Sequence, residues 1–452
     1  MKRSQKLLVI GGVAAGTKAA SKAKRDDPSL EVTILTEEQD ISYAGCGLAY
    51  YIGGIISDRS SLLARSPEHF REKQGITVLT GHRADRISTW DHAVKATNIA
   101  TGEQLTFPFD KLVIATGASA VIPPIPGIIM EGVFPLRSLS NAEAIKSYLS
   151  RNTVRSACII GGGYIGVEMA ENLTRSGISA TMFEMADSIM AHLFDPDIAS
   201  TIAEYMVQSG VTVKTGTTVE RINGDRQVKS VTAGGIEYAC DMVIAAAGVQ
   251  PNVELAKEAR IAIGPTGAIK VDRHMETSTR GIYAAGDCAE QTNIVSGKPC
   301  WVPLGSTANK QGRVAGACLA GSRIDFPGVL GTSIVKVFDM TVARTGLNQR
   351  EAREAGFDPA SVTVTVPSRA GYYPGGGKLS VTLIGDKRSR RFIGAQVTGD
   401  PTADKVIDTC AAALMGKLSV DDLVNLDVSY SPPYSPALGN VIIAATVLES
   451  KL

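Results

Sequence analysis

The strongest constraint on the fold is a glycine-rich turn near the middle of the chain. The segment SACIIGGGYIGVEMAENLTRSG, residues 156–177, satisfies the pattern G-x-G-x-x-G through Gly161, Gly163 and Gly166. An apolar run precedes these glycines and an amphipathic segment follows them. This strand–turn–helix order suits a dinucleotide phosphate, because the N–H groups at a helix start favour an anion. We assign Tyr164 and Ile165, in the same turn, to that binding site.

The strand after this helix indicates which dinucleotide binds. SATMFEM ends on Glu184, and a carboxylate at this position accepts hydrogen bonds from a ribose hydroxyl and repels a 2′-phosphate. The sequence therefore favours NADH over NADPH. Glu168, on the first helical turn, faces the nicotinamide in one interpretation and complements the helix dipole in the other. Gly248, after a further apolar run, completes the predicted site.

A second, imperfect glycine turn stands at the beginning of the chain. The strand LLVI leads into GGVAAG, a helical segment TKAASKAKR follows, and EVTILT reads as the next strand. The middle glycine of the pattern is missing, because Val13 takes its place. The acidic residue expected at the end of the second strand is displaced, since Thr36 stands there, and we assign Glu37 to the adenosine ribose. The predicted phosphate-binding residues are Gly11, Gly12, Ala14, Ala15 and Gly16.

Three later segments extend this first nucleotide site. FDKLVIATGA, residues 109–118, is a strand that ends in Ala115, Thr116 and Gly117 and brings the backbone against a nucleotide. In GIYAAGDCAE, residues 281–290, Gly286 precedes Asp287, which we place at a helix start as an acceptor for a flavin ribityl chain. Pro303 lies in a loop that leads into a helix beneath the flavin. Two dinucleotide sites in one chain imply hydride transfer between a nicotinamide and a flavin, FAD.

One cysteine stands in a segment with a different character, ISYAGCGLAYYIGG, residues 41–54. We predict a short helix that begins after Cys46 and ends at the paired glycines. A helix N-terminus favours the thiolate, which is the nucleophile, although an isolated cysteine is more often structural. Lys18, Lys22 and Arg25 share one face of the first helix and form either a solvated face or a site for phosphates of an anionic thiol.

Composition excludes several classes of function. The formal net charge of the 452 residues is +1, so no basic field attracts nucleic acid or a membrane surface. The seven cysteines show no C-x-x-C spacing, which argues against zinc, a resident iron–sulfur cluster or a dithiol, and we predict no metal site. The apolar run after MKRSQK is too short for a signal peptide, and no stretch reaches membrane-spanning length. We expect a cytoplasmic protein.

The sequence pattern predicts an α/β chain with two Rossmann-like domains and a third, α+β domain. The third domain begins near residue 327, where strand-like alternations such as SVTVTVP and KLSVTLIGD appear before late helices. We place an FAD-binding domain at residues 1–112 and 245–326, an NAD(P)H-binding domain at 113–244, and a dimerisation domain at 327–452.

These motifs together resemble the single-cysteine branch of the flavoprotein disulfide reductases. The branch includes coenzyme A-disulfide reductases, NADH oxidases and persulfide reductases. The resemblance runs nearly end to end and rests on GGVAAG, ISYAGCGL, ATGA, IGGGYIGVEMAENL, YAAGDCAE, VPLGSTANKQGR, VARTGLN, GYYPGG and SYSPPYS. Two-cysteine relatives carry a second cysteine five residues on, where this chain has Tyr51, so Cys46 would cycle alone through a mixed disulfide, persulfide or sulfenic acid.

The resemblance also implies a homodimer with tyrosines in the active site. No histidine follows His274, so the C-terminal acid–base histidine of the two-cysteine branch is missing. By resemblance, Tyr430, and also Tyr372, Tyr373 and Tyr434, reach Cys46 of the other subunit. Ser42 and the three cations would bind substrate, with coenzyme A as an expected ligand. Departures from the family pattern at Gly45 and residues 438–440 affect the thiol pocket. Ala49 replaces the usual proline, and Ala14 replaces the histidine of the peroxidases.

Three functional hypotheses follow. In the first, NADH reduces FAD and Cys46 passes the electrons to coenzyme A disulfide, coenzyme A persulfide or polysulfide. In the second, the reduced flavin reacts with oxygen and the protein is an NADH oxidase. In the third, the chain is an electron-transfer subunit of a larger complex that exchanges electrons with an iron–sulfur partner.

Overall fold

The first part of the chain forms most of a parallel sheet in the computed structural model, which describes residues 4–452. Strand β1 is an apolar run with both faces covered, as expected for a parallel strand. The elements are β1 (Lys6–Ile10), α1 (Ala14–Asp26), β2 (Glu31–Leu35), a 3₁₀ turn (Gly45–Gly47), α2 (Leu48–Ile52), a 3₁₀ turn (Arg59–Leu62), α3 (Pro67–Gln74), β3 (Ile76–Leu79), β4 (His82–Ser88), β5 (Ala93–Asn98), β6 (Gln104–Pro108) and β7 (Lys111–Ile114).

A second parallel sheet follows and repeats the plan of the first. Its glycine turn again joins a buried strand to a helix. The elements are β8 (Ala118–Ala120), β9 (Val133–Pro135), α4 (Leu139–Arg151), β10 (Ser156–Ile160), α5 (Tyr164–Arg175), β11 (Ser179–Phe183), α6 (Pro196–Gln208), β12 (Thr212–Lys214), β13 (Val219–Gly224), β14 (Val228–Ala233), β15 (Ile236–Ala239), β16 (Met242–Ala245) and β17 (Val249–Pro251).

The chain then returns to complete the first domain. The elements are α7 (Glu254–Glu258), β18 (Ile282–Ala284), β19 (Gln291–Thr292), β20 (Pro299–Cys300) and α8 (Gly305–Leu319). Strand β18 pairs with β7, which gives the order β18-β7-β1-β2-β3 in the first sheet, and the second sheet has the matching order β9-β16-β10-β11-β12. Ligands of such open sheets bind at the carboxyl ends of the strands, where the strand order reverses.

The crossings between the two domains lie later than the sequence-based boundaries. The boundary at 112/113 falls inside β7, which pairs with β1 throughout, and the boundary at 244/245 falls inside β16, which pairs with β10. The chain leaves and re-enters the first domain through the antiparallel pair β8 and β17.

The last part of the chain forms an antiparallel sheet with helices, so the predicted α/β fold with an α+β C-terminal domain is confirmed. Its strand order is β21-β22-β25-β24-β23. No helix within residues 4–452 combines the length and the apolarity required to cross a bilayer. The elements are β21 (Ser333–Val337), β22 (Met340–Gly346), α9 (Gln349–Ala355), β23 (Pro359–Pro367), β24 (Lys378–Asp386), β25 (Phe392–Gly399), α10 (Ala403–Met415), α11 (Val420–Val424) and α12 (Asn440–Glu449).

Helices α1 and α8 pack backbone to backbone, and glycines make that approach possible. A Cβ atom on Gly312 would lie 2.4 Å from the carbonyl oxygen of Ala15, and one on Gly316 would lie 2.4 Å from that of Ala19. Neither carbonyl can move aside without shifting the helix that carries the first glycine turn. The pair therefore fixes where α1 begins.

We expect Gly312→Ala to destabilise the protein by about 2 kcal/mol, because the added methyl group would overlap the backbone of α1. The matched control is Gly416→Ala, at an exposed helix end with negative φ, where a Cβ would have contacts of 3.5 Å. Chemical denaturation measures both variants. Equal unfolding midpoints for the two variants would contradict the packing described for α1 and α8.

Candidate active site

The first glycine turn brings together residues that the sequence assigned to one nucleotide site. Gly11 has φ +114°, and its Cβ would lie 2.1 Å from the carbonyl oxygen of Ala115. A Cβ on Gly16 would lie 2.0 Å from the carbonyl oxygen of Gly11. Thr116 is held by Asn252, whose carbonyl accepts from the threonine hydroxyl at 2.6 Å. Helix α1 therefore starts at Ala14 beside a bare backbone surface, as a pyrophosphate requires.

A buried amide indicates that this surface fits FAD. Oε1 of Gln311 accepts the N–H of Gly286 at 2.9 Å, but its buried Nε2 has no partner within residues 4–452. A ribityl or phosphate oxygen of the cofactor would satisfy that donor. Asp287 is adjacent, in a turn rather than at the predicted helix start. The next helix, α8, begins only at Gly305, because the intervening chain forms β19 and β20.

Arg137 was not found from the sequence, and it links the two domains at this site. Its Nη2 donates to Oδ2 of Asp287 at 2.6 Å, and its Nε donates to the carbonyl oxygen of Ala118 at 2.9 Å. Burial raises the pKa of Asp287, and the guanidinium of Arg137 partly offsets that rise. The available signal was a lone cation directly after the apolar run VFPL and just before the helix cap Ser138.

The second glycine turn has the same geometry with one added carboxylate. Gly161 has φ +107°, and its Cβ would lie 2.3 Å from the carbonyl oxygen of Ala246. The carboxylate of Glu184 accepts the N–H groups of Gly162 at 2.7 Å and Ala186 at 2.8 Å. Glu184 therefore supports the turn as well as standing where the ribose is expected. The other residues assigned to this site lie around it: Gly163 and Gly166 in the turn, half-buried Tyr164 and Ile165 at the start of α5, and Gly248 before β17.

The predicted short helix after Cys46 is confirmed, but the predicted electrostatics of the thiol are wrong. Cys46 lies in the 3₁₀ turn that leads into α2, which ends at Gly53. Desolvation by the walls of the site and the negative charge of Glu168 raise the pKa of Cys46, against the effect of Arg137. Helix α2 has only five residues, so its dipole is too small to dominate. The thiol nevertheless is exposed, and a Cβ on Gly305 would lie 4.0 Å from Sγ.

Helix α2 packs against the NAD(P)H-binding domain. Nζ of Lys146 donates to the carbonyl oxygen of Tyr51 at 3.0 Å and lies 4.2 Å from the centre of its ring. The hydroxyl of Tyr50 donates to Oε1 of Glu168 at 3.5 Å, and burial raises the pKa of Glu168 to about 7. The structure thus places Glu168, which one sequence interpretation assigned to the nicotinamide, beside the cysteine helix.

The proposed substrate cations are partly engaged. Lys22 forms an ion pair with Asp26 at 2.6 Å, while Lys18 is half-buried and Arg25 is exposed. Ser42 lies between the glycine turn and the cysteine, and its N–H donates to the carbonyl oxygen of Gly12 at 2.8 Å. Glu37 is exposed, one residue beyond the buried Thr36, and Pro303 is half-buried just before α8. The assignments of these residues stay predictions.

The four tyrosines lie together on the surface of the C-terminal domain. The hydroxyl oxygens of Tyr372 and Tyr430 are 3.0 Å apart, so one of them donates to the other. Tyr372 is 76% exposed, Tyr434 68% and Tyr430 48%, values high enough for contact with another molecule. Tyr373 is also exposed, at the tip of the same loop as Tyr372.

Comparison with known proteins identifies the family. A model described as pyridine nucleotide-disulphide oxidoreductase matches residues 5–312, and one described as the dimerisation domain of the same family matches residues 332–442. The chain belongs to the pyridine nucleotide-disulphide oxidoreductases. It is therefore an oxidoreductase whose cofactors are FAD and NAD(P)H, and its C-terminal domain is a dimerisation domain.

Individual relatives match this chain along nearly its whole length. The NAD(P)H coenzyme A polysulfide/persulfide reductase of Pyrococcus horikoshii is 36% identical over 445 residues, which cover 98% of each chain. A coenzyme A disulfide reductase of Staphylococcus aureus is 34% identical over 431 residues, covering 95% of this chain and 96% of that one. The structure of an NAD-dependent persulfide reductase from A. fulgidus is 41% identical and superposes with a TM-score of 0.96 over 99% of this chain and 83% of that one.

We expect Glu184→Ala to weaken NADH binding about tenfold and to improve the use of NADPH relative to NADH, because the carboxylate both accepts from ribose and repels a 2′-phosphate. Glu184→Gln is the matched variant, since its amide oxygen can still accept from Gly162. Both variants lose the negative charge, whereas only Glu184→Ala also loses the hydrogen bond to the Gly162 N–H in the glycine turn. Steady-state kinetics with both nucleotides measure the ratio, and an unchanged ratio in both variants would contradict the assignment.

The raised pKa of Glu168 predicts a pH dependence of stability. Between about pH 4.5 and 7 the folded state holds a proton that the unfolded chain has lost, so the free energy of unfolding falls as the pH rises through this window. Glu168→Gln removes that slope, which is at most about 1.4 kcal/mol per pH unit. Urea unfolding near pH 5 and 8 measures it. The exposed control Glu258→Gln should follow the wild type, and parallel slopes for Glu168→Gln and wild type would refute the prediction.

Proposed function

We propose that this enzyme uses NADH and FAD to reduce a disulfide or persulfide of coenzyme A, or a polysulfide, through Cys46. One observation carries the proposal: of the seven cysteines, all of which the structure describes, Cys46 alone is exposed. The position five residues later holds the buried Tyr51, so the sulfur has no partner for an internal disulfide. The relatives named above for persulfide, polysulfide and disulfide reduction support this choice of acceptor.

The sulfur chemistry balances with one NADH per disulfide. The Cys46 thiolate attacks one sulfur of R–S–S–R′, a mixed disulfide forms, and R′S⁻ leaves and takes up a proton. FAD, when bound, supplies the route by which the electron pair of NADH reaches that mixed disulfide. Reduction regenerates the Cys46 thiolate and releases RS⁻, which also takes up a proton. NADH provides two electrons and one proton, and solvent provides the second proton.

Individual residues contribute to each step of this reaction. Glu184 orients the nicotinamide nucleotide, and Glu168 brings a proton-binding group with a pKa of about 7 beside the cysteine helix. The raised pKa of Cys46 keeps the free thiol protonated near neutral pH, so attack requires removal of that proton. The proposed proton acceptors and donors are Tyr430 and Tyr372 of the partner subunit in a homodimer.

The proposal for coenzyme A adds a phosphate site on α1. Lys18, Lys22 and Arg25 are the cations of one helix face, and Asp26 holds Lys22 in place. A phosphate group would compete with Asp26 for the ammonium group of Lys22. A coenzyme A thiol needs such cations, whereas inorganic polysulfide does not. These cations should therefore contribute to the binding of coenzyme A substrates and contribute little to the binding of polysulfide.

We expect Cys46→Ser to lower turnover with coenzyme A disulfide by about a hundredfold or more, because the nucleophile is removed. Reduction of the flavin by NADH without oxygen should continue, since no nicotinamide-binding residue changes. Cys318→Ser is the control, because that half-buried thiol donates only to the carbonyl oxygen of Ile324. NADH consumption is compared for coenzyme A disulfide, coenzyme A persulfide, polysulfide and oxygen.

The acceptor series also separates the alternatives. Turnover that survives in Cys46→Ser with oxygen alone would make the protein an NADH oxidase. Turnover with none of the four acceptors, together with an iron-containing protein that co-purifies, would favour an electron-transfer subunit. Unchanged reduction of coenzyme A disulfide by Cys46→Ser would remove the thiol route.

A further inference from the structure

The two dinucleotide-binding domains match residue by residue at their glycine turns. The N–H of Gly11 donates to the carbonyl oxygen of Leu35, and that of Gly161 donates to Phe183, each at 2.8 Å. The N–H of Ser42 returns to Gly12 at 2.8 Å, and that of Met190 returns to Gly162 at 3.0 Å. Ser42 and Met190 also share φ of 52°.

This correspondence fixes the counterpart of Glu184. The N–H of Thr36 donates to Leu79 and its carbonyl accepts from His82, while the N–H of Glu184 donates to Lys214 and its carbonyl accepts from Thr217. In each domain the N–H donates to the last residue of a neighbouring strand, Leu79 of β3 or Lys214 of β12. The residue three positions further along the chain then donates to the carbonyl. Thr36, and not Glu37, therefore stands where Glu184 stands.

The side chains at these positions meet the same part of the glycine turn. A Cβ on Gly162 would lie 3.2 Å from Oε2 of Glu184, and one on Gly12 would lie 3.1 Å from Cγ2 of Thr36. Glu184 accepts two backbone N–H groups, from Gly162 and Ala186. Thr36 is 6% exposed, and its methyl carbon Cγ2 is its atom nearest to the turn. The first domain thus has a short, neutral side chain where the second has a carboxylate.

Glu37 and Glu38 do not occupy this position. Glu37 is exposed beyond the end of β2. Glu38 is half-buried, and its carboxylate accepts the Tyr43 hydroxyl at 3.2 Å. Both carboxylates therefore come after Thr36, which is the residue whose backbone bonds to the neighbouring strand as that of Glu184 does.

We propose that Thr36 contacts the adenosine ribose of FAD in place of a carboxylate, and that the adenosine half of FAD is consequently held less tightly than the fold permits. A neutral hydroxyl forms a weaker hydrogen bond to a ribose hydroxyl than an ionised carboxylate does. The backbone that holds Glu184 in the second domain is repeated around Thr36 in the first, so we expect a glutamate to fit there. The inference concerns FAD retention and is independent of the electron acceptor.

The test measures the dissociation constant of FAD by titrating flavin-depleted protein and following flavin fluorescence. We expect Thr36→Glu to bind FAD about tenfold more tightly, and Thr36→Val to bind it about three- to tenfold more weakly. Glu37→Gln should leave the value unchanged. FMN serves as the ligand control, because it lacks the adenosine half, and no variant should alter its affinity.

Two results would overturn the proposal. One is a loss of FAD affinity in Glu37→Gln equal to or greater than that in Thr36→Val, which would assign the ribose to Glu37. The other is a change in FMN affinity that matches the change in FAD affinity, which would show a general disturbance of the pocket. Thr36→Val replaces only the hydroxyl with a methyl group of similar size. This variant therefore still tests the proposal if Thr36→Glu does not fold.

Discussion

The structure depends on close contact between bare backbones at two turns. In the first domain the turn at Gly11 lies against the carbonyl of Ala115, and in the second the turn at Gly161 lies against that of Ala246. Side chains at these glycines would overlap the neighbouring strand ends. The resulting surfaces present helix starts without obstruction, which is the requirement that pyrophosphate binding places on the fold. The positions of α1 and α5, and of everything they carry, follow from this contact.

The cysteine is positioned by the same contact. Ser42 returns to the first glycine turn through its N–H, and Cys46 follows four residues later, so the distance between turn and thiol is short and fixed. Helix α2 then rests on the second domain through Lys146 and the Tyr50–Glu168 contact. The thiol consequently lies where both domains meet, and Arg137 joins the two domains at this junction by donating to Asp287. Electron transfer from a nicotinamide to a sulfur needs this convergence, because neither domain alone holds both ends.

Local patterns predicted the elements well, since strand, turn and helix each leave their signal within about ten residues. The helix after Cys46 and the glycine turns were predicted because glycines and apolar periodicity determine them. Features that depend on distant parts of the chain were missed. The pKa of Cys46 is raised by desolvation within the site and by Glu168, more than a hundred residues away, and the pairing of Arg137 with Asp287 also joins segments far apart in sequence. Asp287 precedes β19 rather than a helix, because the chain that follows it pairs with other segments, Ala289 with Ile269 and β19 with β20.

The most direct test of Cys46 as the sulfur through which electrons leave is an anaerobic titration with NADH. The enzyme is first reacted with coenzyme A disulfide and then freed of excess reagent. Flavin absorbance and released coenzyme A thiol are followed together. If Cys46 is the sulfur through which electrons leave, the first equivalent of NADH releases coenzyme A while the flavin keeps its colour, and only the second bleaches it. Bleaching at the first equivalent, with no thiol released, would contradict the account.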